Sequence, residues 1–184
     1  LAASGLAGSP AQHFAPAARV RAAREWGTAA PEAHVAELRR RHTGANGVFG
    51  FEIRWPHFVA AFGARDVRPW LPELCVLRVV GRPALEQAIV ATWQETRGTR
   101  AGFDAASVRL HLARVQAEEA HWEGLLSSSD LAVLRLRHEE WRAADGARLT
   151  ELLRALGVEL PAGWRAPAFT LPEEPAPELV QAWS

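Results

Sequence analysis

The run Leu74–Val80 (LCVLRVV) is almost unbroken in apolar side chains, and it restricts the available folds more than any other segment. A strand that alternates polar and apolar residues can leave one face in water. One that does not is expected to be covered on both faces, as in the parallel sheets of α/β proteins. The residues that follow fit that setting. Pro83–Arg97 reads as a helix with proline in its first turn. Asp104 reads as the N-cap of a long helix to about Leu126, with Val108, Leu112, Val115 and Trp122 along one stripe. Leu131–Leu136 (LAVLRL) is a further expected strand. The helix after it carries Leu149, Leu152, Leu153 and Leu156 at i, i+3, i+4 and i+7, and is expected to stop at Gly157. Strands alternating with helices imply an α/β fold with a parallel sheet and right-handed crossovers.

Upstream, Leu1–Gly5 reads as the tail of a helix that ends in glycine, and Pro31–His42 as a helix with Val35 and Leu38 on one face. The turn 43–47 then feeds Val48–Trp55, whose aromatic and β-branched content predicts a strand, the first of three. Pro56–Phe62 is a short helix candidate. With 184 residues the chain is long enough for one domain with a substantial core. That domain is expected over residues 1–160. A proline-rich tail follows over 161–184, with a short helix near Leu179–Trp183.

A formal net charge of zero gives no support for a nucleic-acid partner. The single cysteine, Cys75, lies in the apolar run and reads as a buried structural thiol, and one cysteine supplies neither a disulfide framework nor a zinc cluster. No metal site is expected, since His111, Glu118 and His121 do not have a ligand spacing. No stretch is apolar for long enough to span a bilayer, so a cytoplasmic location is the expectation. All 21 basic residues are arginine and methionine is absent, which fits a GC-rich coding sequence and, for a chain beginning at Leu1, a fragment.

Three segments carry chemistry in combination: Gly5–Phe14 (GLAGSPAQHF), Gly47–Phe58 (GVFGFEIRWPHF) and Arg78–Ile89 (RVVGRPALEQAI). Ser4–Phe14 is similar to a T-G-x-A-G-x-P-x-E-x-F stretch, Gly47–Trp55 to a G-V-x-G-x-K-x-x-W strand, and Arg82-Pro83 with Gln87–Val90 to an R-P-D…Q-A-x-S segment. In that order and spacing, and with Gln116–Trp122 and Ala132–Gly157 farther on, the chain resembles the bacterial carbohydrate sulfotransferases of the trehalose and lipopolysaccharide type. These enzymes use 3′-phosphoadenosine 5′-phosphosulfate (PAPS) as donor.

The resemblance implies a P-loop-like parallel sheet flanked by helices, with the first strand and the phosphosulfate loop missing from this chain. It implies PAPS as co-substrate, a carbohydrate or glycolipid acceptor, and a homodimer as one assembly. Sulfuryl transfer depends on positioning and on donors aimed at developing charge. Arg82 and Gln87 would hold the donor's 3′-phosphate, Arg82 through a planar fork that never deprotonates. Trp55 and Phe14 would border the acceptor, Trp55 by stacking on a sugar face; the alternative for Trp55 is a core role. Gln12 stands where the family has its catalytic glutamate and cannot take a proton at neutral pH. Its neighbour His13 titrates near neutrality and could substitute.

Other departures accompany Gln12. Glu52 stands where the family has lysine, Val90 replaces a serine, and Thr99-Arg100 replaces an aromatic pattern. A general base is worth roughly 10²–10⁴ in rate. The expectation is therefore a sulfotransferase homologue that is inactive as given. The alternative is a non-catalytic relative that binds a nucleotide or a protein. A P-loop kinase relative is disfavoured, because no acidic Mg²⁺ site follows a strand.

Overall fold

Proline sets where four of the helices begin. Its fixed φ suits the first helical turn, and its missing N–H is one that the turn leaves unbonded in any case. The structure, a computed structural model, describes residues 4–27, 30–63, 66–80, 82–96, 104–142 and 146–166. Within these, α1 (Pro16–Trp26) and α2 (Pro31–His42) each open on proline, α3 (Trp55–Phe62) has Pro56 in its first turn, and α4 (Ala84–Glu95) follows Pro83. α5 (Ala105–Ser127) starts differently. The Asp104 carboxylate accepts from the amides of Ala106 and Ser107 at 2.8 and 2.9 Å, as the N-cap reading requires. α6 (His138–Arg142) and α7 (Gly146–Ala155) complete the helices. The expected tail helix near 179–183, the 99–100 departure and most of the proline-rich stretch lie outside the described residues.

The described residues contain two strands, β1 (Cys75–Val80) and β2 (Ala132–Arg137), rather than the three expected. They pair in a small parallel sheet flanked by helices. The crossover between them runs through α4 and α5. Ala88 and Ile89 of α4 pack with Val108 of α5 in a buried cluster, with Leu85 and Leu112 against it. Burial of an Ile or Leu side chain contributes about 1.5–3 kcal/mol.

Two expectations for β1 are corrected. The strand is not covered on both faces, since Val79 is 44% exposed and most of its neighbours are half-buried. Cys75 is exposed, not a buried thiol. Both follow from position: Cys75 opens the strand, and a two-stranded sheet has no second neighbour to close over either edge.

The residues fall into two compact units, one within Leu1–Val76 and Ala144–Phe169, the other within Leu77–Ala143. In the first unit Phe14, Leu38, Phe62, Leu149 and Leu153 are fully buried. α7 buries Leu149, Leu152 and Leu153 as its periodicity predicts, and the chain turns away at Gly157. No described helix is long and apolar enough to cross a membrane.

Candidate functional site

Residues 4–14 and 44–52 are tied together by hydrogen bonds from a side chain and from the backbone. The Asn46 side-chain amide donates to the Leu6 carbonyl at 2.8 Å, and the Glu52 amide donates to the Ala11 carbonyl at 3.0 Å. The Ser9 amide donates to the carbonyl of His42, the last residue of α2. Two glycines make this approach possible. A Cβ on Gly8 would stand 2.1 Å from the His42 carbonyl oxygen, and Gly8 has φ +66°, a region that side chains disfavour. A Cβ on Gly50 would meet the Ala7 carbonyl at 2.9 Å.

This lacing also corrects the strand expected at Val48–Trp55. Its composition suits a pleated sheet, but the neighbour is an irregular loop and Gly50 interrupts the run. Residues 48–54 stay outside any strand, and Trp55 opens α3 instead.

The contact that matters chemically lies at the mouth of this junction. The Gln12 amide nitrogen donates to Glu52 Oε1 at 2.8 Å. Gln12 and Glu52 are two of the positions where the chain departs from the resembled pattern, and they touch. His13 is half-buried; its Nε2–H donates to the Ser9 carbonyl at 2.9 Å, and its ring centroid lies 4.4 Å from that of His42. His13 is therefore tied into its own loop.

Phe14 is only 2% exposed and forms the hub of an aromatic core. His34, Phe51 and Phe62 surround it at centroid distances of 5.4, 5.0 and 5.1 Å. Its ring offers no open face to an acceptor, so the substrate-binding expectation for Phe14 gives way to a packing role. Trp55 is half-buried and stacks on Phe58 at 5.6 Å.

Arg82 and Gln87 belong to the other unit, at the start of α4. The Gln87 side-chain amide donates to the Arg82 carbonyl at 3.0 Å, which closes the turn into the helix. Arg82 Nε lies 3.9 Å from Glu86, one turn on. An anion arriving at Arg82 thus shares it with a carboxylate. Arg78, upstream on β1, is ion-paired with Glu119 of α5.

The sequence reading missed the roles of three histidines. His34 is 3% exposed, donates from Nε2 to the His13 carbonyl at 3.4 Å, and stacks on Trp26 at 5.7 Å. Burial lowers its pKa below the ordinary histidine value, against the raising effect of the His13 carbonyl, and the charges of Arg19 and His13 lower it further. His42 is likewise lowered, first by burial and then by the charges of His13 and Arg41. The signal was available: His34, Leu38 and His42 recur at i, i+4 and i+8 along α2, so the histidines share the stripe of a buried leucine. In the other unit, the buried His111 meets Glu95 at 2.6 Å. Among the described residues no group of three or more His, Cys, Asp or Glu side chains is placed to hold a metal ion. No protein-family model and no curated protein matches this chain.

Proposed function

We propose that this chain is a relative of the PAPS-dependent carbohydrate sulfotransferases and that it retains nucleotide recognition at the start of α4. One observation carries the reading: the segments that resemble the family's first two motifs are joined through Gly8 and Gly50, and their two altered chemical positions are hydrogen-bonded partners. Where the resembled pattern has a glutamate and a lysine, this chain has an amide donor facing a carboxylate. Independent drift at unrelated positions gives no reason for such a pairing.

In the reaction of this class, the acceptor hydroxyl loses its proton to a base and its oxygen attacks the sulfur. The S–O bond to the donor's 5′-phosphate then breaks, and the electron pair leaves with that phosphate. Gln12 cannot accept the proton. The carboxylate at this junction belongs to Glu52, exposed and oriented by the Gln12 amide. Glu52 is thus the residue suited to the base role. Arg82, one residue before Ala84 opens α4, combines a guanidinium fork with the N-terminal end of a helix, a pairing suited to a 3′-phosphate.

A second reading, a nucleotide-binding relative that transfers nothing, is favoured by Gln12 itself. Both readings need the nucleotide site. Titrating 3′-phosphoadenosine 5′-phosphate, the spent donor, by calorimetry tests it. The chain should bind and the Arg82→Ala variant should not. A folded chain that shows no heat of binding overturns both readings.

A further inference from the structure

We infer that residues 9–13, ahead of the buried Phe14, form an acid-released latch, held on α2 by neutral imidazoles of His13, His34 and His42 and freed when these take up protons. Two ring contacts and one backbone bond tie one short loop to α2. His13 lies against His42, His34 bonds to the His13 backbone carbonyl, and the His42 carbonyl accepts from the Ser9 amide. Each end of the loop is thereby tied to α2 through a histidine.

The surroundings favour the neutral state and offer the charged one little. The charges acting on His34 are those of Arg19 on α1 and of His13; those acting on His42 are His13 and Arg41. All are cationic or become so. The carboxylates on the packed elements are Glu25 on α1, Glu32 and Glu37 on α2, and Glu52 on the facing segment. Glu37 bonds to Arg40 and Arg41, and Glu52 bonds to Gln12. Among the described residues no hydrogen bond or ion pair joins any of these four to His34 or His42. His34 is also enclosed by Trp26 and Phe14, and the Trp26 ring already has the Arg41 guanidinium 5.0 Å from its centroid.

Protonation therefore sets like charges side by side. Imidazolium on both His13 and His42 repels across a contact that water does not fully screen, and imidazolium on His34 loses hydration without gaining an acid. Moving residues 9–13 off α2 relieves both. The bonds that break are those from the Ser9 amide to the His42 carbonyl, from His34 to the His13 carbonyl, from the Glu52 amide to the Ala11 carbonyl and from Gln12 to Glu52. Gln12 and His13 travel with the loop, whatever ligand the junction takes.

Amide hydrogen exchange read by NMR at pH 7.5 and pH 5.0, corrected for intrinsic rates, tests this. Protection of the Ser9 and Glu52 amides should fall at least about tenfold at pH 5.0 while the α7 amides of the same unit keep theirs. In a His13→Gln, His42→Gln variant the fall should shrink to less than about threefold. Unchanged protection in the native chain overturns the latch, as does a loss shared equally by α7, which reports unfolding of the whole unit. A double variant that keeps the full acid response overturns it too. If that variant does not fold, the native comparison of Ser9 with α7 decides alone.

Discussion

Gln12 illustrates how a single side chain changes what a loop can do while leaving its geometry intact. An amide and a carboxylic acid have the same shape, and Gln12 reaches Glu52 at 2.8 Å. The reverse exchange, Gln12→Glu, would place two carboxylates where one proton must be shared. In that variant one carboxyl of the pair should titrate clearly above the usual carboxylate range, read by NMR of the side-chain carbons. Two unperturbed titrations would show that residues 12 and 52 do not meet in solution. Gly8 is the other residue on which the junction depends. A Gly8→Ala variant faces both a positive φ and a carbonyl at 2.1 Å, and should lose about 3 kcal/mol or more in urea unfolding. A loss under about 0.5 kcal/mol would contradict the close approach. At this scale the sequence was legible where chemistry is local. Asp104 reads as a cap because its partners are two and three residues away. Cys75 did not read correctly, because its exposure depends on how many strands flank it.

At the scale of elements, proline and leucine periodicity made most helices legible. Pro31, Pro56 and Pro83 sit at helix starts, and the leucines of α7 give a buried stripe. α1 escaped notice because it has almost no stripe to detect. Ala22 is its only buried residue, and Val20 on the same helix is exposed. The expected strand over 48–55 failed for the opposite reason: it has strand composition, but its Glu52 amide donates to Ala11 of an irregular loop and its Val48 carbonyl accepts from Gly44. The gap between cap and core can be measured. Asp104→Ala removes two amide acceptors at an exposed helix end and should lower Tm by about 2–4 °C. Leu153→Ala empties a fully buried site on α7 and should cost about 2–5 kcal/mol. Equal effects from the two would contradict the burial of α7.

For the whole molecule, pH acts on stability between pH 7 and pH 5 through two histidines. The folded pKa values of His34 and His42 lie below their ordinary values, so the native state holds fewer protons on them than the unfolded chain does. Their contribution is fully present above about pH 6.5 and is lost as pH falls through their folded values. Urea midpoints should therefore drop between pH 7 and pH 5, and a His34→Phe, His42→Gln variant should flatten that drop. A native midpoint constant across this window would contradict the burial of both rings. The two-stranded sheet has a further consequence. Both described strands are edges, and Val79 is exposed on one of them. Such edges invite pairing between copies. Sedimentation should show association that grows with concentration, whereas a single monomeric species over a tenfold range would contradict open edges. What the sequence left unread is that the candidate residues fall in different units. Gln12, His13, Phe14 and Trp55 lie in one unit and Arg82 and Gln87 in the other, a partition that no local spacing encodes.

The central claim is recognition of a 3′-phosphate beside Arg82, and the most direct measurement compares two nucleotides that differ only there. Calorimetric titration with 3′-phosphoadenosine 5′-phosphate and with adenosine 5′-phosphate isolates that group. A charge-assisted contact to Arg82 should make the first bind about 10–100-fold tighter, and Arg82→Ala should bring the two together. Equal affinities in the native chain would contradict the account.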